Sequence, residues 1–157
     1  MRAMGLSGVQ GALSPHDIYQ LRYALEPFLV GLVAQTVGAA EIMQLQMTLM
    51  NMKMAIDMSD VVGAMEMELD FHRLLISFST NPAFGQVVEQ TAQALAQSRA
   101  VIKPSPAGML EPWQELNQIL RAVQQHDSSA AMQAMRTHLT TAASRIGVRF
   151  SAPDLAN

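Results

Sequence analysis

Apolar residues recur every three to four positions along most of the chain, and nowhere do apolar and polar residues alternate for long enough to make a strand. The pattern divides into six helical segments. Ser14, Pro15 and Asp17 provide an N-cap hydroxyl, a first-turn proline and a carboxylate at the positive end of the dipole, so a helix starts there and runs to about Gly38. A second spans about Ala40 to Met58, and a third begins near Ser59 and Asp60 and ends near Thr80. Asn81 and Pro82 restart the chain as cap and first-turn residue of a fourth, which reaches about Val101 before Pro104, Pro106 and Gly108 interrupt it. A fifth carries Trp113, Leu116, Ile119, Leu120 and Val123, and Asp127 caps a sixth that ends before Gly147. The expected fold is all-α, an antiparallel bundle of six to seven helices. Residues 1–13, with Gly5, Gly8 and Gly11 and little periodicity, read as a linker or tail, 14–147 as the domain, and 148–157 as a C-terminal tail.

Five ionisable side chains fall on faces that should be apolar. Glu68 and His72 lie within the stripe made by Val61, Met65, Leu69, Leu75 and Ile76, whereas Asp70 falls on the opposite face. His138 and Arg145 sit two turns apart in the stripe of Ala131, Ala134, Met135, Leu139, Ala142 and Ile146, and Arg22 is enclosed by Ile18, Leu21, Leu25, Leu29 and Leu32. An unpaired buried charge costs several kcal/mol, so these groups must meet one another, a metal or a polar ligand. His16 and His126, near a helix start and a loop, read as solvated surface residues.

Thirteen methionines are many for this length. Met43, Met47, Met50, Met54 and Met58 follow one another at helical spacing and predict a core face or the adaptable wall of a cavity. Met52 lies on the other side, so the segment does not present its sulfurs to one soft metal.

Composition then removes whole classes of function. Half of the 157 residues are apolar and 15% are charged, enough for one globular domain with a real core. A net charge of −3 argues against a nucleic-acid surface on this segment. The absence of cysteine excludes disulfides, thiolate metal sites and thiol nucleophiles. The longest apolar stretch, Pro27 to Ala40, contains Gln35 and Thr36 and is too short to span a bilayer, and no signal-peptide pattern opens the chain, so no membrane contact and a cytoplasmic location are expected. Neither a phosphate-binding glycine loop nor an H-E-x-x-H motif occurs, Glu68 and His72 form no pair of Glu-x-x-His motifs, and no strand-turn-helix elbow exposes a serine. The expectation is a protein without enzymatic turnover.

Several motifs together carry a family resemblance. The run Asp17-Ile18-Tyr19-Gln20-Leu21-Arg22-Tyr23-Ala24-Leu25-Glu26-Pro27 resembles the opening helix of the FCD domain, the effector-binding half of FadR-type regulators in the GntR superfamily. Glu68-Leu69-Asp70-Phe71-His72 resembles the acid-x-x-Phe-His motif of that family, Asn81 its helix-restarting asparagine, Ile119 to Val123 its fifth-helix signature, and Ala131 to Leu139 its final Met-x-x-His-Leu motif. The resemblance spans about residues 14–147. It implies a six- or seven-helix bundle that senses a small metabolite, usually a carboxylate, and relays its occupancy to a winged-helix DNA-binding domain not present in this chain, in a regulator that works as a homodimer. It further implies a divalent metal, with Glu68, His72 and His138 matching three of the family's four ligand positions and Leu116, which cannot ligate, standing at the fourth.

Two imidazoles and a carboxylate suffice for a zinc- or nickel-like site with open positions, and manganese is a further candidate. Two other arrangements use the same residues. The histidines could hydrogen-bond an organic ligand directly, with Arg22 or Arg145 gripping its carboxylate in a bidentate fork. Alternatively, Glu68 pairs with His72 or His138 in a structural network while the arginines reach the bundle ends, as in a helical dimerisation or scaffold module without a small ligand.

Overall fold

The computed structural model describes residues 13–99, 104–150 and 152–153. Six α-helices follow one another there: α1 Pro15–Thr36, α2 Ala39–Asp57, α3 Val61–Ser77, α4 Pro82–Arg99, α5 Leu110–Gln124 and α6 Ser128–Arg145. A single 3-10 turn, Ala107–Met109, leads into α5, and no strand occurs among the described residues. The all-α bundle expected from the periodicity is the observed fold. The linker expected over residues 1–13 lies outside the described residues except for Leu13, as do the expected end of the fourth helix at Val101 and residues 151 and 154–157 of the C-terminal segment.

The helix starts follow from short polar side chains. The Ser14 hydroxyl accepts from the Asp17 amide, the Asp60 carboxylate from Gly63 and the Asp127 carboxylate from Ala130, each satisfying a backbone donor that the first turn leaves without a partner. Asn81 does the same for the Ala83 amide at 3.0 Å.

Helix α1 packs along α6, α2 on α3 and α5, and α5 on α6. The α1–α6 approach is close because Gly31 faces Met132: a Cβ there would come within 2.8 Å of the Met132 Cγ. The main core joins Val33 of α1, Leu45 and Met52 of α2, Phe71 and Leu75 of α3, Leu116 and Ile119 of α5, and Met135 and Leu139 of α6. Each of these fully buried side chains contributes roughly 1.5–3 kcal/mol of apolar burial. Beyond α6, Val148 and Phe150 pack back on Ile18 and Tyr19, and the Phe150 ring meets Tyr23 edge-on with centroids 5.3 Å apart. Those two residues of the expected tail therefore help close one end of the bundle.

Two expectations about faces need correction. Met43, Met47, Met50, Met54 and Met58 do not form a core face; they point outward, with Met50 and Met54 lining a surface groove between α2 and α5, and the inward face of α2 is Leu45, Leu49, Met52 and Ile56. The helix carries two apolar stripes, and periodicity alone does not say which one the core takes. On α1 the buried face is rotated relative to the expected stripe: Leu32 is exposed, Leu21 and Leu25 are half-buried, and Arg22 and Glu26 are buried one turn apart.

No helix among the described residues is long and apolar enough to cross a membrane.

Candidate metal centre

Four helices converge on a polar cluster inside this apolar bundle. Glu68 and His72 share one face of α3, being one turn apart, and both are buried. His138 enters from α6, 1% exposed, in the position its stripe predicts. Its Nε2 lies 3.1 Å from His72 Nε2 and 3.8 Å from Glu68 Oε1. One ligand atom from each of the three residues lies within 4.8 Å of the other two.

Behind the imidazoles stand two carboxylates that the sequence reading did not single out. His72 Nδ1–H donates to Glu26 Oε1 at 2.7 Å, and His138 Nδ1–H donates to Glu115 Oε2 at 2.7 Å. Each acid is in turn held by an arginine. Arg22 Nε donates to Glu26 Oε2 at 2.6 Å, and Arg145 pairs with Glu115, which also accepts from the Thr141 hydroxyl at 3.1 Å. The result is one continuous chain, Arg22–Glu26–His72–His138–Glu115–Arg145, drawn from α1, α3, α5 and α6.

The electrostatics fix the direction of these bonds. Burial alone would raise the Glu26 carboxyl, but the adjacent Arg22 guanidinium and the His72 contact hold it at about 2, so Glu26 is ionised and can only accept. Glu115 is likewise held below the usual carboxylate range: burial opposes this, and the His138 bond and Arg145 outweigh it. Burial pushes His72 down more strongly than Glu26 raises it, which favours the neutral ring. With Nδ1–H committed to a carboxylate, the remaining nitrogen of neutral His72, Nε2, carries a lone pair.

A carboxylate on the far nitrogen is the arrangement that orients metal-ligating histidines and raises their basicity. Two nitrogens bound to one ion at about 2.0–2.1 Å sit roughly 3 Å apart, which the His72–His138 spacing matches. The donor set therefore fits a borderline divalent ion. Leu116, which the resemblance sets at the fourth ligand position, is fully buried in the main core and packs there as an apolar side chain.

Beside the cluster lies a cavity of about 130 Å³ whose wall includes Glu68, Arg145, Met65, Met109, Pro112 and Ile146. Glu68 and Arg145 thus belong both to the polar cluster and to this cavity. Arg22 lies at the other end, its guanidinium 5.3 Å over the Tyr19 ring and its Nε on Glu26. The structure brings Glu68, His72 and His138 together, and it sets the two arginines at opposite ends of the network. Glu26 had a sequence signal, the i,i+4 spacing from Arg22 on a buried face. Glu115 had none, since its partners are 23 and 30 residues away. Of the two surface histidines, both are exposed, and His126 Nδ1 contacts the Ala34 carbonyl at 2.9 Å.

The family model of the FCD domain matches residues 17–141. Among solved structures the fold is similar to "Streptococcus agalactiae GntR", with a TM-score of 0.73 at 20% identity over 83% of this chain and 58% of that one. It is also similar to "E. coli McbR/YncC", with a TM-score of 0.76 at 17% identity over 83% of this chain and 66% of that one. The chain thus spans less than two thirds of the length of either structure. No curated protein matches it in sequence.

Proposed function

The chain belongs to the FCD domain family, and from that premise we propose that it is the effector-sensing domain of a GntR-type transcription regulator, holding a small carboxylate in a central pocket through a divalent ion on Glu68, His72 and His138. The observation that carries this reading is the convergence of two imidazole Nε2 atoms and a carboxylate oxygen at the edge of a cavity that also presents Arg145. A bound ion supplies Lewis acidity and open coordination positions for ligand oxygens. The protein residues do the rest. Glu26 and Glu115 hold the two rings in orientation, Met65, Met109 and Ile146 supply apolar wall, and Arg145 offers a guanidinium to ligand charge.

The cavity is well below the roughly 300–1,000 Å³ of sites for drug-sized molecules, which favours a carboxylate of few carbons. Arg145, rather than Arg22, is the ligand-facing arginine in this reading, because it lines the cavity while Arg22 serves Glu26. The whole regulator is a cytoplasmic homodimer that reaches DNA only through a winged-helix domain outside this chain, and it performs no turnover.

The test is thermal melting of metal-stripped protein with zinc, nickel or manganese and small carboxylates, singly and together. A ligand at a hundred times its Kd stabilises the folded state by about 2.7 kcal/mol, which raises Tm by roughly 5–10 °C at this chain length. A scaffold that takes no small ligand would melt at the same temperature throughout.

A further inference from the structure

The cavity beside the cluster offers hydrogen-bond donors at one pole. In its wall the charged side chains are Glu68 and Arg145, while Met65, Met109, Pro112, Ala142 and Ile146 bring no side-chain N–H or O–H. Backbone donors in the described wall are absent or already used. Pro104 and Pro112 have no N–H at all. The Gly108 amide donates to the Ser105 hydroxyl at 3.1 Å, the Met109 amide to the Pro106 carbonyl at 3.1 Å, and the Ile146 amide to the Ala143 carbonyl at 3.2 Å. Met65 and Ala142 sit within α3 and α6, where each amide bonds to the preceding turn. Among the described residues of the wall, Arg145 is thus the donor that can turn to a ligand, and its charge is already paired by Glu115 and Glu111.

We propose, resting on the reading of this site as a carboxylate sensor, that its ligand is a monocarboxylate with an unsubstituted aliphatic tail of two or three carbons. The carboxylate takes the polar pole, at Arg145 and the candidate ion position, and the tail lies against thioether and aliphatic carbon. A hydroxyl at the far end of the tail would be buried without a partner, which costs roughly tenfold or more in affinity. A second carboxylate there fares worse, because the Arg145 charge is already balanced by Glu115 and no other cation stands in the described wall. An alkyl tail, by contrast, gains about fourfold for each methylene buried. Size sets the length. An apolar cavity of roughly 150 Å³ holds benzene, with its six non-hydrogen atoms. The 130 Å³ here therefore suits a carboxylate group and two or three further carbons.

The test is calorimetric titration of the whole chain with acetate, propionate and butyrate, run with and without zinc. Affinity should rise about fourfold per methylene from acetate to butyrate. 3-Hydroxypropionate, which carries a hydroxyl where butyrate has its terminal methyl, should bind roughly tenfold or more weakly than butyrate, and malonate should do the same. Ile146→Lys places an ammonium in the apolar wall at the half-buried C-cap of α6, where the helix dipole tolerates a cation. That variant should raise malonate affinity relative to butyrate roughly tenfold, with helical circular dichroism unchanged. Wild type that binds 3-hydroxypropionate or malonate as tightly as butyrate would overturn the inference while leaving metal-assisted carboxylate sensing in place, and so would equal affinity for acetate and butyrate. A butyrate preference that is the same without zinc would uphold the apolar tail and count against the ion. Binding of none of the three alkanoates would overturn both.

Discussion

His72 and His138 approach each other through their Nε2 atoms at 3.1 Å, with ring planes 26° apart and centroids 5.2 Å apart. Each ring's other nitrogen is held by a different glutamate. Two lone pairs cannot point at each other at that distance without a positive charge between them. A proton or a metal ion meets the need, and the nearby Glu68 carboxylate favours either.

Removing Glu26 should be among the most damaging single changes in the fold. Glu26→Leu leaves the Arg22 guanidinium buried with its partner gone, and breaking a buried pair in this way costs about 3–5 kcal/mol. Urea unfolding of the metal-free protein checks it. A loss below about 1 kcal/mol would mean that Arg22 escapes to solvent.

The same carboxylate sets an acid limit on stability. Its folded pKa of about 2 lies below the ordinary carboxylate value of 4.5, so the unfolded state binds the proton first. The stabilisation is complete above 4.5 and is lost as pH falls from there towards 2, on the order of 3 kcal/mol in all. Urea midpoints of metal-free protein across that window should fall with pH, and Glu26→Gln should flatten the slope.

In the proposed site Glu115 would act on a bound ion only through His138. Glu115→Gln keeps the side chain's size but weakens the hold on His138 Nδ1, and the expected result is a 10- to 100-fold loss of metal affinity with little change in helical content. A chelator-competition titration measures it. Equal affinity in the variant would show that the His138 ring is oriented by packing alone.

Much of this arrangement was legible in the sequence because helical periodicity and capping are local. Ser14, Asp60, Asn81 and Asp127 mark helix starts that the structure confirms, and the stripes of α3 and α6 carry Glu68, His72 and His138 to buried positions. The rest depends on relations between helices. Glu115 lies on the partly polar α5, and only the packing of α5 on α6 reveals that it meets His138. The methionine stripe of α2 misled for a related reason: period 3.6 identifies a face, and tertiary packing chooses between Leu45–Ile56 and Met43–Met58.

Arg145→Ala should separate ligand from metal. The guanidinium lines the cavity but is not one of the three candidate ligands, so carboxylate affinity should fall roughly 10- to 100-fold, as for loss of a charged hydrogen bond, while metal affinity changes by much less. Calorimetry of each titration reads both. A carboxylate that binds Arg145→Ala as tightly as wild type would move the ligand's charge to another partner.

The most direct measurement is calorimetric titration with elemental analysis on metal-stripped wild type and His138→Ala. The account predicts one divalent ion per wild-type chain, tighter binding of a small carboxylate when the ion is present, and no metal uptake once His138, one of three protein ligands, is gone. Wild type that stays metal-free in excess zinc, nickel and manganese, yet binds the carboxylate normally, would contradict it.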